Sequence, residues 1–144
     1  MIEVINRQRR HKINLKSWRD FTRQALNAVG QTGGAVTIVF TGDAAIKKLN
    51  QQFRGRNYAT DVLSFPTAAE SFETEDQSTL GDVVISLERA SAQAKENGLS
   101  FTQEVQQLIL HGLLHLSGHD HETDNGEMNR LERRLRNKLG IEGG

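Results

Sequence analysis

Residues 100–121 read SFTQEVQQLILHGLLHLSGHDH, and the fold and the chemistry both follow from this stretch. Ser100 with Gln103 three residues on is a capping box, in which each side chain serves a backbone N–H at a helix start. Phe101, Val105, Leu108, Ile109, Gly112, Leu113 and Leu116 then recur at helical spacing and define a core-facing helix. Its far end carries His111 and His115. Four residues apart on a helix, the two imidazoles share one face and converge on one point. Gly118 is placed to take the left-handed conformation that ends a helix, and the chain then returns His121 toward the same point. Of the five histidines in the chain, four fall in residues 111–121.

The pattern H-x-x-x-H-x-x-G-x-x-H is that of a metal site. Neutral imidazole is a favoured ligand of Zn²⁺ and its neighbours. Three such ligands leave the ion doubly positive, with a coordination position open to water or substrate. A structural zinc is closed by four protein ligands, so the pattern points to catalysis. A water on such an ion ionises near pH 7. His111, His115 and His121 are therefore the expected ligands of one Zn²⁺ per chain, another divalent transition metal being the alternative. Metzincin proteases share the spacing but carry Glu directly after the first His as general base. Here that residue is Gly112. Asp120 is open to two roles, acid/base group or carboxylate that orients a ligand imidazole. His119 and His11 are read as ordinary residues.

Outward from this helix, residues 1–6 read as a strand, and Ser17 with Asp20 as the start of a helix with Trp18, Phe21, Ala25, Leu26 and Val29 on its core face. Ala35–Thr41 (AVTIVFT) is a strand, Gly42-Asp43 opens a second helix, and residues 53–61 read as a loop. Val62–Phe65 is a short strand stopped by Pro66, and residues 67–80 read as a mobile loop. Asp82–Ser86 is a strand pairing with 62–65. Ser86 then caps a helix running to Asn97 with Gly98 behind it. A last helix runs from Gly126 to Leu139, with Met128, Leu131, Leu135 and Leu139 inward and arginines outward. The expectation is an α+β fold: a single small domain over 1–144, with a mixed sheet of about four strands, about five helices and a zincin-like metal helix.

Composition narrows the classes. The 144 residues hold no cysteine, which removes disulfides, thiolate metal sites and cysteine nucleophiles and suits a reducing compartment. The start MIEVINRQRRHK lacks a signal-peptide core, and no apolar run approaches the roughly 18 residues of a membrane span. A cytoplasmic protein without a membrane partner is expected. Formal net charge is zero, with basic runs at Arg7–Lys12 and Arg130–Lys138 and an acidic run at Glu70, Glu73, Glu75 and Asp76. These are read as solvated surface segments.

HGLLHLSGHDH closely resembles the H-G-x-L-H-L-x-G-[YH]-D-H signature of the YbeY family of bacterial endoribonucleases. LNQQFRGRNYATDVLSFP (49–66) resembles the family's L-N-x-x-[YF]-R-x-x-x-x-x-T-D-V-L-S-F-P, and LGDVVIS (80–86) its L-G-D-I-x-I-S. The resemblance implies a zinc-dependent, single-strand-specific endoribonuclease. It implies a role in maturation of the 3′ end of 16S ribosomal RNA and in ribosome quality control. RNA, the small ribosomal subunit and its assembly factors are the partners so implied. His111, His115 and His121 are the implied zinc ligands, and Arg54 an implied functional residue. The chain departs from the pattern at Tyr58-Ala59-Thr60, where many members have Pro before Thr, and at His119, where Tyr is commoner.

RNA cleavage builds negative charge on phosphate oxygens, and the planar, permanently charged guanidinium of Arg54 suits them. Thr60, Asp61 and Ser64 are candidates to line the cleft or fix its loop. Asp82 is a candidate for the site, a partner contact or a turn. Two other functions compete with RNA hydrolysis: a zincin-type peptidase with its base supplied from elsewhere, and a non-catalytic ribosome-associated module whose metal staples the fold.

Overall fold

A computed structural model of the chain describes residues 1–66, 79–118 and 126–141, with the side chains of 127–129 left aside. The acidic run Glu70–Asp76 lies outside the described residues, as do His119, Asp120 and His121. In chain order the elements are β1 (Ile2–Asn6), α1 (Leu15–Ala28), β2 (Ala35–Thr41), α2 (Asp43–Arg54), β3 (Val62–Pro66), β4 (Thr79–Ser86), α3 (Leu87–Asn97), α4 (Phe101–Leu116) and α5 (Glu127–Leu139).

The described strands form one mixed sheet in the order β1-β2-β4-β3. β1, β2 and β4 run parallel, with Val4 opposite Ile38 and Ile38 opposite Val83. β3 closes one edge antiparallel to β4, with Ser64 opposite Val83. Alternation along the strands sorts the side chains to two faces. Val4, Val36, Ile38, Phe40, Val83 and Ile85 face the main core, where Trp18, Phe21 and Leu26 of α1 meet Val105, Ile109 and Leu113 of α4. Val84 and Leu63 face the other way, onto Ile46 of α2. Helices thus cover both faces, but among the described residues only α2 stands on the second. This is the expected α+β domain.

Most helix ends follow the chemistry read from the sequence. The capping box of Ser100 and Gln103 is complete, with each backbone N–H donating to the other's side chain at 3.0 and 2.9 Å. Ser86 caps α3, and Gly98 ends it. Three boundaries differ by two residues or more. α1 starts at Leu15, because the Asn14 side chain accepts from Ser17 N at 3.0 Å and takes the capping role expected of Ser17. α2 continues to Arg54 and stops at Gly55, so the expected loop begins two residues late. β4 begins at Thr79 rather than Asp82, since Thr79 and Gly81 pair with Ala35 and Val36 of β2.

α4 is the element that positions the site. It packs on α1, α3, α5, β3 and β4 and is buried along most of its length. At Gly112 it comes very close to the sheet. A Cβ there would lie 2.7 and 3.0 Å from the two methyls of Val83 and 3.2 Å from Ser64 Oγ. Only a residue without a side chain lets the helix settle at this depth. Among the described residues no helix is long and apolar enough to cross a membrane.

Candidate active site

His111 and His115 stand on the face of α4 that looks past β3. Their Nε2 atoms are 3.0 Å apart, and the rings meet edge to face with centroids 4.6 Å apart. The Nδ1 of His111 lies 2.8 Å from Glu132 Oε1 of α5. With the Glu132 carboxylate ionised, Nδ1 carries the proton and donates it, which leaves Nε2 bare and aimed at His115. A carboxylate behind an imidazole fixes both tautomer and ring orientation.

The donor set fits a metal ion. Two nitrogens on one tetrahedral zinc at about 2.0–2.1 Å stand roughly 3.3 Å apart, close to the spacing here. Among the described residues no three His, Cys, Asp or Glu side chains close around a single point. The expected third ligand, His121, lies outside them. Gly118, at φ 97°, has the left-handed backbone expected for turning the chain after the helix, and its N–H donates to His115 O.

Arg54, Ser64, His111 and His115 line one pocket of about 270 Å³, walled on its apolar side by Val62, Leu63 and Pro66. The last residue of α2 places Arg54 at the rim. Its guanidinium Nη2 donates to Ser64 O at 3.0 Å, which pins it against the outer strand β3. Ser64 Oγ donates to Gly112 O at 3.4 Å, the long end of a hydrogen bond, and so ties β3 to α4. Arg54 and Ser64, far apart in sequence from the histidines, are thereby brought beside them.

Thr60 and Asp61 stand at the entry to β3. Asp61 Oδ1 accepts from Val62 N at 2.8 Å and from Thr60 Oγ1 at 3.3 Å, so both residues fix the turn into the strand. Asp61 also faces a second depression of about 380 Å³ that shares His111 with the first, together with Glu96, Glu104 and Glu132. Gln93, with its amide nitrogen turned toward them, bridges Asp61 Oδ2 at 3.2 Å and Glu104 Oε1 at 3.0 Å. Burial pushes the Glu104 carboxyl above the usual carboxylate range; the Asn97 side chain opposes this and the Asp61 charge adds to it. Asp82 is placed elsewhere, in a depression of about 330 Å³ with Met1, Glu3 and Thr37, not with the histidines. His11 stacks on Phe101 at 4.7 Å, an ordinary packing role.

Glu132 is the residue that sequence reasoning missed. It sits beside the inward stripe of Leu131 and Leu135 in an arginine-rich helix. A carboxylate at the margin of an apolar stripe is a weak signal, and nothing in the spacing links it to a histidine 21 residues away.

A four-stranded α+β domain that holds two convergent imidazoles and an arginine beside one strand has the equipment of a hydrolase for phosphate esters. The comparisons agree. Residues 3–140 match the model of the family described as Endoribonuclease YbeY. Relatives of that name include one from Solibacter usitatus, 50% identical over 109 residues, covering 76% of this chain and 69% of the relative. Another, from Geobacter metallireducens, is 36% identical over 141 residues, covering 97% and 94%. The solution structure of TM1509 from Thermotoga maritima superposes with a TM-score of 0.63 at 26% identity, covering 96% of this chain and 89% of that one. The chain belongs to the endoribonuclease YbeY family. It is an RNA-cleaving hydrolase.

Proposed function

We propose that the chain is a zinc-dependent, single-strand-specific endoribonuclease of 16S ribosomal RNA 3′-end maturation and ribosome quality control. It works in the cytoplasm with the small ribosomal subunit and its assembly factors. The observation that carries the metal reading is the pair of Nε2 atoms 3.0 Å apart, with His111 held from behind by Glu132. His121 is proposed as the third ligand.

When bound, zinc supplies a Lewis acid for the phosphoryl oxygen and an acidified water. The protein's own groups do the rest. Glu132 keeps the His111 proton on Nδ1. Arg54, pinned to Ser64 O beside the imidazoles, holds a phosphate oxygen and stabilises the charge that grows on it in the transition state. Thr60, Asp61 and Ser64 set the position of β3 and so the width of the pocket, and Asp120 is assigned the proton transfer. The peptidase alternative lacks support at Gly112: the residue after His111 faces Val83, and a glutamate there would run into the sheet. A metal that only staples the fold requires four protein ligands, so ligand counting separates that reading from this one.

The test is His115→Ala. Bound zinc and cleavage of a single-stranded oligoribonucleotide are expected to disappear together while the fold is kept. Cleavage that persists in metal-stripped protein sinks the proposal. Product ends settle the route: attack by the RNA's own 2′-OH leaves a cyclic phosphate, whereas direct hydrolysis does not.

A further inference from the structure

Phe53 and Tyr58 keep more than half of their surface open, at 58% and 52%, and are the exposed aromatics among the described residues. They flank Arg54 and Arg56 within six residues of chain, FRGRNY. Single exposed apolar residues are common on any protein and carry no message. Two aromatic rings interleaved with two arginines, beside a pocket that cleaves RNA, are a different case.

The rings are also held in place. Phe53 packs its ring edge to face on Phe65 of β3, with centroids 5.3 Å apart at 68°. The next residue, Arg54, bonds the carbonyl of Ser64, the residue before Phe65. Consecutive residues of α2 thus touch consecutive residues of β3, and Ser64 lines the histidine pocket. Tyr58 is fixed through its backbone: the side-chain amide of Asn50, itself 2% exposed, donates to Tyr58 O at 2.9 Å. Its hydroxyl accepts from Arg56 Nη1 at 3.1 Å. A protein that hides its aromatics in a core has spent a buried asparagine to hold this loop with a ring outward.

Single-stranded nucleic acids are bound by such a combination: every base offers a flat face for stacking, and arginines follow the phosphates. We infer that Phe53 and Tyr58 form a stacking platform for bases of a single-stranded RNA whose backbone passes Arg54 and Arg56 into the pocket of His111 and His115. The inference rests on the single-strand reading given above and deepens it: duplex RNA keeps its bases stacked on one another and cannot use the platform. A docked protein is the competing occupant. It is disfavoured by the arginines that break the apolar surface into separate rings.

The experiment measures affinity for an uncleavable 2′-O-methyl oligoribonucleotide and for the same chain made abasic. Proteins compared are the parent, Phe53→Ala, Tyr58→Ala and Tyr58→Phe, each checked for unchanged thermal unfolding. The parent is expected to bind the base-bearing chain more tightly. Each alanine variant should weaken that binding about tenfold and leave abasic binding and its salt dependence unchanged, while Tyr58→Phe keeps parent affinity. Alanine variants that bind like the parent overturn the platform and leave the nuclease proposal standing. So does a parent indifferent to the presence of bases, or a loss of affinity equal for both chains. A parent that binds no single-stranded RNA overturns the nuclease proposal and the platform with it.

Discussion

Replacing Gly112 with alanine tests whether the depth of α4 against the sheet is set by the absence of one methyl. The added Cβ would sit 2.7 and 3.0 Å from both methyls of Val83 and 3.2 Å from Ser64 Oγ. Val83 is wholly buried, and its branched side chain has little freedom to turn aside. Overpacking of a filled core costs about 1–3 kcal/mol. With two clashing methyls on one immobile neighbour, the upper end applies, about 3 kcal/mol. Alanine returns about 1 kcal/mol through its better helix propensity. The net loss is about 2 kcal/mol, or a fall in Tm of about 4–8 °C for a chain of this size. Thermal unfolding followed by circular dichroism reads it. The double variant Gly112→Ala/Val83→Ala is the control for cause. Removing the Val83 methyls makes room, so the two changes should couple favourably by about 1 kcal/mol or more. A single variant as stable as the parent, or a double variant whose losses simply add, refutes the close-approach reasoning.

Arg54→Ala should keep the fold and the bound metal and lower kcat about 100-fold or more, the usual loss when one charge-stabilising donor is removed; unchanged turnover in an RNA-cleavage assay removes it from the site. Glu132→Gln should weaken zinc affinity by about 10–100-fold, as measured by competition with a chelating dye, because His111 loses the charged partner that orients its ring. Metal affinity equal to that of the parent counts against this role. Glu104 supplies a pH test. Its folded-state pKa is raised, so its effect on stability is most favourable below the unfolded value near 4.5 and is lost as pH climbs through the raised one. Glu104→Gln should therefore flatten the fall in Tm between acid and neutral pH; parallel Tm–pH curves for parent and variant contradict the assignment.

The helices were legible where their ends carry paired chemistry. Ser100 with Gln103 and Ser86 with Gly98 act locally, and local bonds can be read from neighbours in sequence; at the start of α2, by contrast, the Asp43 N–H donates to Glu88, 45 residues away. Asn14 escaped because Ser17 and Asp20 offered a second, equally plausible cap three residues on. The missing start of β4 has a different cause: Thr79 and Gly81 are strand residues only by virtue of their pairing with Ala35 and Val36. The same division holds at the site. His111 and His115 share a helix, so their spacing reveals them. Arg54 was found through resemblance, and its seat on Ser64 O needed the strand to be placed. Glu132 depends on how α5 docks on α4, which no short-range pattern encodes.

The depression lined by Asp61, Glu96, Glu104 and Glu132 has a bearing on traffic. It meets the pocket of Arg54 at His111 and Val62, so one imidazole borders a depression with four carboxylates and another with a guanidinium. A polyanion drifting toward the imidazoles is repelled from one bank and drawn to the other, over distances of about a Debye length, 8–10 Å. A strand approaching His111 is therefore expected to favour the β3 bank, past Arg54, over the carboxylates.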